Sequence, residues 1–251
     1  MLRGLYTAAT GMAVQRANMD VLTNNIVNAS TAGFKRDGLI TSSFDEVMIE
    51  RLNGPYRGNA NNEVGPYSFG AHIDQVYTDF SQGSTESTGK QTDLAIYGDG
   101  FFAVETPAGE RYTRSGSFSV NREGYLVTAD GNYVLGQNGR LNVGYGSFSV
   151  DGAGYVSAGG QVTDRLRIVR FEETGNLRKQ GYSLFAADNA APAEAGDVSI
   201  MQGFLEGSNV DIATEMTDMI TVYRAYEANQ RILSMTDETL GLAVNNLGSL
   251  R

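Results

Sequence analysis

A chain of 251 residues with 41% hydrophobic content can bury at least one sizeable core, and its length admits one domain or two. Its 29 acidic residues outnumber 19 basic ones, a net charge of -10 with no block of Lys and Arg, which argues against nucleic acid as a partner. The absence of cysteine removes disulfides, thiol nucleophiles and thiolate metal sites. With no apolar run of about 18 residues, and no charged, apolar, then small-residue layout over residues 1 to 30, neither membrane insertion nor a cleaved secretion signal is expected.

In chain order, Leu5, Met12, Met19 and Ile26 form a seven-residue row, with Ala8, Leu22 and Ala29 three places on from three of them. This spacing predicts a long amphipathic helix with a narrow seam. The helix closes on "NNIVNASTAGFKR", Asn24 to Arg36, where Asn24, Asn25 and Asn28 can bond frayed backbone groups and Gly33 can supply a positive φ. Phe34 is then an anchor and Lys35 follows it. Gly33 and Phe34 are expected to set the chain's exit angle without packing inside the single subunit, so that Gly33→Val spares its stability. Asn28 opens a glycosylation sequon, "NAS", which carries no weight at a packed helix end.

Residues 36–90 lack helical periodicity and read as an extended connector with local strand character. From Gln91 to Phe204, alternating stretches such as "DLAIYG", "FFAVET" and "RLRIVRF" are punctuated by Asp99-Gly100, Asp130-Gly131, Asn138-Gly139 and Asp151-Gly152. Short antiparallel strands joined by tight turns are predicted, with Phe101 and Phe102 in their core and residues 190–196 as a surface loop. Arg114 reads more readily as a solvated charge than as a bidentate contact.

The chain ends on a second seven-residue row, Ile212, Met219, Tyr226, Leu233, Leu240 and Leu247, with Met216, Tyr223 and Val244 four places after three of its members. "SNVD", Ser208 to Asp211, reads as the capping box that starts this helix. From Asn209 to Leu247 it would run on the order of 58 Å at 1.5 Å per residue. Two helices alone bury too little to offset the ordering of both termini, so they are expected to pack on each other and on helices of other subunits. The fold class is α+β: terminal helices forming a coiled-coil domain (residues 1–35 and 206–251), a connector (36–90) and a central all-β domain (91–205).

Catalytic readings fail on the residues present. His72 is the only histidine, and no G-x-S-x-G elbow accompanies it. No H-x-x-x-H or D-x-D-x-D-G run supplies a zinc or calcium site. "GDGFFA" matches the degenerate dinucleotide fingerprint, but strand-like sequence follows it, so it reads as a hairpin turn and no cofactor is expected. The carboxylate pairs Glu172-Glu173 and Asp237-Glu238 leave a peptidoglycan-acting hydrolase as an alternative, and a β-rich surface binding module on a helical stalk is another.

Three segments together carry a resemblance. "NNIVNASTAGFKR", "DLAIYGDGFFAVETPAGERYTRSGSFSVNREGYLVTADG" and "LEGSNVDIATEMTDMITVYRAYEANQRILSMTDETL", in this order, resemble the signature regions of the bacterial flagellar rod and hook proteins. The resemblance implies a non-enzymatic subunit of the basal-body rod, exported through the flagellar type III apparatus to an extracytoplasmic site. Its partners would be copies of itself and other rod and hook proteins. The terminal helices would form the inner coiled-coil wall, and Asn24, Asn25, Asn28, Gly33, Phe34 and Lys35 fill the family's N-terminal pattern. The length favours a rod over a hook protein, and "MLRGLYTAATGM" leans to the proximal type.

Overall fold

The computed structural model of the chain describes residues 2–50, 63–181, 183–187, 192–196 and 198–248. They divide into two compact units, one built from residues 1–26, 37–77 and 212–251, the other from residues 27–36 and 78–211.

The first unit holds both long helices, α1 (Leu2–Val27) and α2 (Ile212–Gly248). Near the end of α1, Asn25 Nδ2 donates to Glu215 Oε2 at 3.1 Å, and earlier in α1 Gly11 lies against the Asn229 side chain. As one helix advances the other recedes, so the pair is antiparallel. Two strand pairs come from the stretch read as a connector. Asp37–Ser43 pairs with Ala71–Thr78, and Val47–Glu50 pairs antiparallel with Glu63–Tyr67. Most of the "NGPYRGNANNEV" segment of that connector lies outside the described residues.

The predicted capping box is displaced. α2 begins at Ile212, which puts Asp211, and not Ser208, immediately before the first helical residue. Ser208 Oγ instead accepts from Val210 N at 3.3 Å, one turn of chain ahead of the helix.

The second unit is built on a ten-stranded antiparallel sheet. Its central strand, Phe101–Thr106, pairs from Phe102 onward with Gly109–Thr113. Its other edge is shared between Tyr133–Gly136 and Ile168–Arg170. Because side chains alternate across a strand, Phe102 and Val104 enter one core with Leu94 and Leu126, while Phe101 and Ala103 enter a second with Tyr112, Phe171 and Phe185. Both faces of the strand are thus covered, which is why "FFAV" reads as a continuous apolar run.

Three of the four turn dipeptides close hairpins. Asp130-Gly131 links Leu126–Thr128 to Tyr133–Gly136, Asn138-Gly139 leads into Gly139–Arg140, and Asp151-Gly152 joins Phe148–Val150 to Tyr155–Ala158. "GDGFFA" is not a hairpin. Leu94–Tyr97, before it, pairs with Ser199–Gln202, so the turn hands the chain from one sheet to another. At Gly100 a Cβ would lie 2.7 Å from Ile168 Cγ2, which leaves room there only for glycine.

Candidate functional site

Two arrangements of side chains stand out, the helix pair of the first unit and the charged cluster around residues 33–36 of the second. In α1, Leu5, Met12, Met19 and Ile26 are half-buried, while Ala8 and Leu22 of the companion row are buried. In α2, Met219, Tyr226, Leu233 and Leu240 are half-buried; Ile212 is 46% exposed, and the Leu247 side chain lies outside the described residues.

The companion row of α2 differs from the one expected. Met216, Tyr223 and Val244 are 51%, 53% and 68% exposed. The covered positions are instead Glu215, Val222, Asn229, Thr236 and Ala243, three places after or four before the main row. Three of these are polar, so a search for apolar companions passes over them. Their partners in α1 explain the polarity: Glu215 receives the Asn25 amide, and Asn229 sits where a Cβ on Gly11 would come within 3.0 Å of its Nδ2.

Asn25 also ties the end of α1 to the strand that follows. Its Nδ2 donates to the Asp37 carbonyl at 2.8 Å and its Oδ1 accepts from Asp37 N at 3.0 Å, with the side chain fully buried. Asn24 is exposed and Asn28 half-buried; Asn28 O accepts from Thr31 N at 3.0 Å in the turn that ends the helix.

In the second unit the exit residues are packed, contrary to the expectation that they are free in a single subunit. Gly33 has φ +69°, as anticipated, but a Cβ there would lie 2.5 Å from the Arg114 carbonyl carbon and closer still to Ser115 N. Gly33 N donates to the Glu206 carbonyl at 2.7 Å. Phe34 is buried, with Lys179 Nζ 4.0 Å from its ring centroid and donating to the Lys35 carbonyl at 2.7 Å.

Lys35 is 0% exposed. Its Nζ donates to Glu206 Oε1 at 2.6 Å and to the Ser81 carbonyl at 2.7 Å. The other carboxylate oxygen of Glu206 faces Arg114 Nη1 at 3.4 Å, and Gly83 N donates to Oε1 at 3.1 Å. Arg114 is therefore not a solvated charge: it is 3% exposed, with its guanidinium 5.2 Å from the Phe101 ring centroid. Burial pushes the Lys35 ammonium below its ordinary pKa against the pull of Glu206, and the Arg114 guanidinium is lowered for the same reason. One carboxylate held between two cations is a lock, because neither acid nor base is left at a position to meet a substrate. Asn209 completes it: its Oδ1 accepts from Arg36 N at 2.7 Å and its Nδ2 donates to the Asp79 carbonyl at 2.9 Å. Sequence reading passed over Glu206, Asn209 and Lys179, although the first two stand in the quoted "LEGSNVD".

The remaining chemical candidates do not assemble. His72 Nε2 lies 3.1 Å from Ser42 Oγ and its ring stacks on Phe44, but among the described residues Nδ1 has no hydrogen-bond partner, so no acidic group stands behind the ring as in a triad. Glu173 is engaged by Asn176 Nδ2 at 2.9 Å. Among the described residues no cluster of His, Asp or Glu has metal-binding geometry, and no helix is long and apolar enough to cross a membrane.

Three sequence profiles match the chain in order. "Flagella basal body rod protein" covers residues 5–35, "Flagellar hook protein FlgE/F/G D1 domain" residues 95–160, and "Flagellar basal body rod FlgEFG protein C-terminal" residues 201–247. The first and last meet both arrangements described above. The chain is 35% identical to the flagellar basal-body rod protein FlgG of Bacillus subtilis, over 98% of this chain and 99% of that one. It is 35% identical to FlgF of Caulobacter vibrioides and 31% identical to the hook-basal body complex protein FlhO of Bacillus subtilis, in each case over the full length of both. By these matches at both termini and in the middle, the chain belongs to the flagellar basal-body rod protein family.

Proposed function

We propose that this chain is a non-enzymatic structural subunit of the flagellar basal-body rod, polymerising through α1 and α2 into the helical tube that transmits torque from motor to hook. The observation that carries the reading is the pairing of the two sequence termini into one antiparallel helix pair, whose seven-residue rows extend into a coiled-coil wall when further helices join. Leu5, Met12, Met19, Ile26, Met219, Tyr226, Leu233 and Leu240 are its interface residues, with Ile212 and Leu247 at the ends of the α2 row. The lock of Lys35, Glu206 and Arg114 then serves a mechanical end, because torque passing between helices and β-domain must cross the exit segment without bending it. Partners on this reading are copies of the chain, other rod and hook proteins, and the type III export apparatus.

The test is to delete the gene in a flagellated cell and restore it with the parent or with Leu233→Asp, which places a charge on the helix row. The parent is expected in purified basal bodies, and Leu233→Asp is expected to be exported yet to build neither rods nor motile cells. A motile deletion strain, or basal bodies that lack the parent chain, refutes the assignment.

A further inference from the structure

Lys35 and Asn209 converge on one backbone acceptor. Lys35 Nζ donates to the Ser81 carbonyl at 2.7 Å, and Asn209 Nδ2 donates to the same oxygen at 3.2 Å, which sets an amine beside a carboxamide. Glu206 Oε1 lies 2.6 Å from that Nζ, and Arg36 N donates to Asn209 Oδ1 at 2.7 Å. A buried nucleophile, a base in reach of its proton and a donor on the carbonyl to be attacked are thus gathered in the β unit.

We propose that in the folded chain Lys35 Nζ condenses with the Asn209 side-chain amide to form an intramolecular isopeptide bond, with Glu206 as the proton carrier. Lys35 first passes a proton to Glu206, which leaves a neutral amine. The amine lone pair forms the Nζ–Cγ bond while the carbonyl π pair moves onto Oδ1, where the Arg36 N–H stabilises the charge. Collapse re-forms the carbonyl and breaks the Cγ–Nδ2 bond, and Nδ2 departs as ammonia with the bonding pair and one proton from Nζ. The ammonia takes the proton held by Glu206 and leaves as ammonium, which restores the carboxylate. No oxidant, reductant or further reactant enters.

Three observations favour this step over a permanent ion pair. Two buried cations, Lys35 and Arg114, share the single Glu206 carboxylate, and amide formation removes one positive charge to leave a matched Arg114 and Glu206 pair. Burial already pulls the Lys35 ammonium below its ordinary pKa, which eases the first proton transfer. The new amide N–H inherits the Ser81 carbonyl that both nitrogens use now, so that acceptor keeps a partner. In a chain without cysteine, the bond ties the exit segment to residues 206–209 as a disulfide otherwise would. The reaction belongs to the single subunit and does not depend on its assembly.

The purified full chain is folded, held at neutral pH until its intact mass is constant, and weighed under denaturing conditions. It is expected to be lighter than its sequence by one ammonia. A succinimide at Asn138-Gly139 would release ammonia too, so tryptic mapping assigns the loss: Ala17–Arg36 is expected joined to Gln180–Arg224, with no cleavage after Lys35. Lys35→Arg, which keeps a cation on Glu206, and Asn209→Ser are each expected to retain their full sequence mass. So is the parent held in urea, because the step needs the fold. A folded parent of full mass overturns the proposal, as does ammonia loss without the branched peptide or loss that persists in Lys35→Arg. The parent's mass and map decide the matter even where a variant fails to fold.

Discussion

Replacing Gly33 by alanine tests whether the exit segment is part of the folded subunit. Two costs follow from its geometry. At φ +69° an L-residue with a Cβ loses about 1–2 kcal/mol relative to glycine. The new Cβ would also sit 2.5 Å from the Arg114 carbonyl carbon, so the Arg114-Ser115 backbone must retreat by about an ångström, an overpacking penalty of roughly 1–3 kcal/mol. The retreat also disturbs the Arg114 to Glu206 contact. The expected sum is about 2–5 kcal/mol, a large fraction of the stability of an ordinary domain. Urea unfolding of the purified chain followed by tyrosine fluorescence measures it, since there are 13 tyrosines and no tryptophan. Gly4→Ala is the control, because nothing lies within 4 Å of its Cβ position. If Gly33→Ala shifts the unfolding free energy by less than about 0.5 kcal/mol, as a surface change would, the packing described for residues 33–36 is wrong.

Further outcomes follow from the same contacts. Glu206→Gln leaves Lys35 and Arg114 buried without their counter-charge and is expected to cost about 3–5 kcal/mol, read in the same urea titration. Asn25→Asp sets a second carboxylate beside Glu215 and should destabilise the chain at neutral pH, read in the same urea titration. Tyr112 is pushed up to about 12 by burial and by the neighbouring Glu110 carboxylate. The folded state then holds the phenolic proton more tightly than the unfolded one, so its stabilisation is complete below about pH 10 and is lost between 10 and 12. Absorbance titration should show a late-ionising phenol that Tyr112→Phe removes, and the same variant should flatten the stability slope over that range. Gly241→Ala, inside α2 with nothing within 4 Å of its Cβ position, should raise helix stability by about 0.5–1 kcal/mol, measured by circular dichroism melting.

The helices were legible because seven-residue spacing is a local property: Leu5, Met12, Met19 and Ile26 declare it within one segment. The polar companions Glu215 and Asn229 were not, because their meaning lies in Asn25 and Gly11, some two hundred residues earlier. Asp-Gly and Asn-Gly dipeptides marked the hairpins, whose pairing is also local. Leu94–Tyr97 misled for the opposite reason, since its partner is Ser199–Gln202 and not the adjacent strand. The exit motif could be recognised as a pattern, but Lys35, Arg114 and Glu206 look like ordinary surface charges until the fold brings them within hydrogen-bonding reach of one another.

The central strand Phe101–Thr106 buries apolar side chains on both faces, and this bears on how its alignment is chosen during folding. A strand with one wet face cannot slip by a single residue without turning its apolar set outward; "FFAV" can, because either face finds oil. Hydrophobicity therefore supplies little information about alignment here. The choice falls to the short link Pro107-Ala108, closed by Gly109 at φ +105° and by Thr106 Oγ1 donating to the Gly109 carbonyl at 2.7 Å. A two-residue loop of fixed curvature therefore sets the alignment of Phe101–Thr106 against Gly109–Thr113, so inserting one residue there would shift this central pair while leaving the strands' composition unchanged.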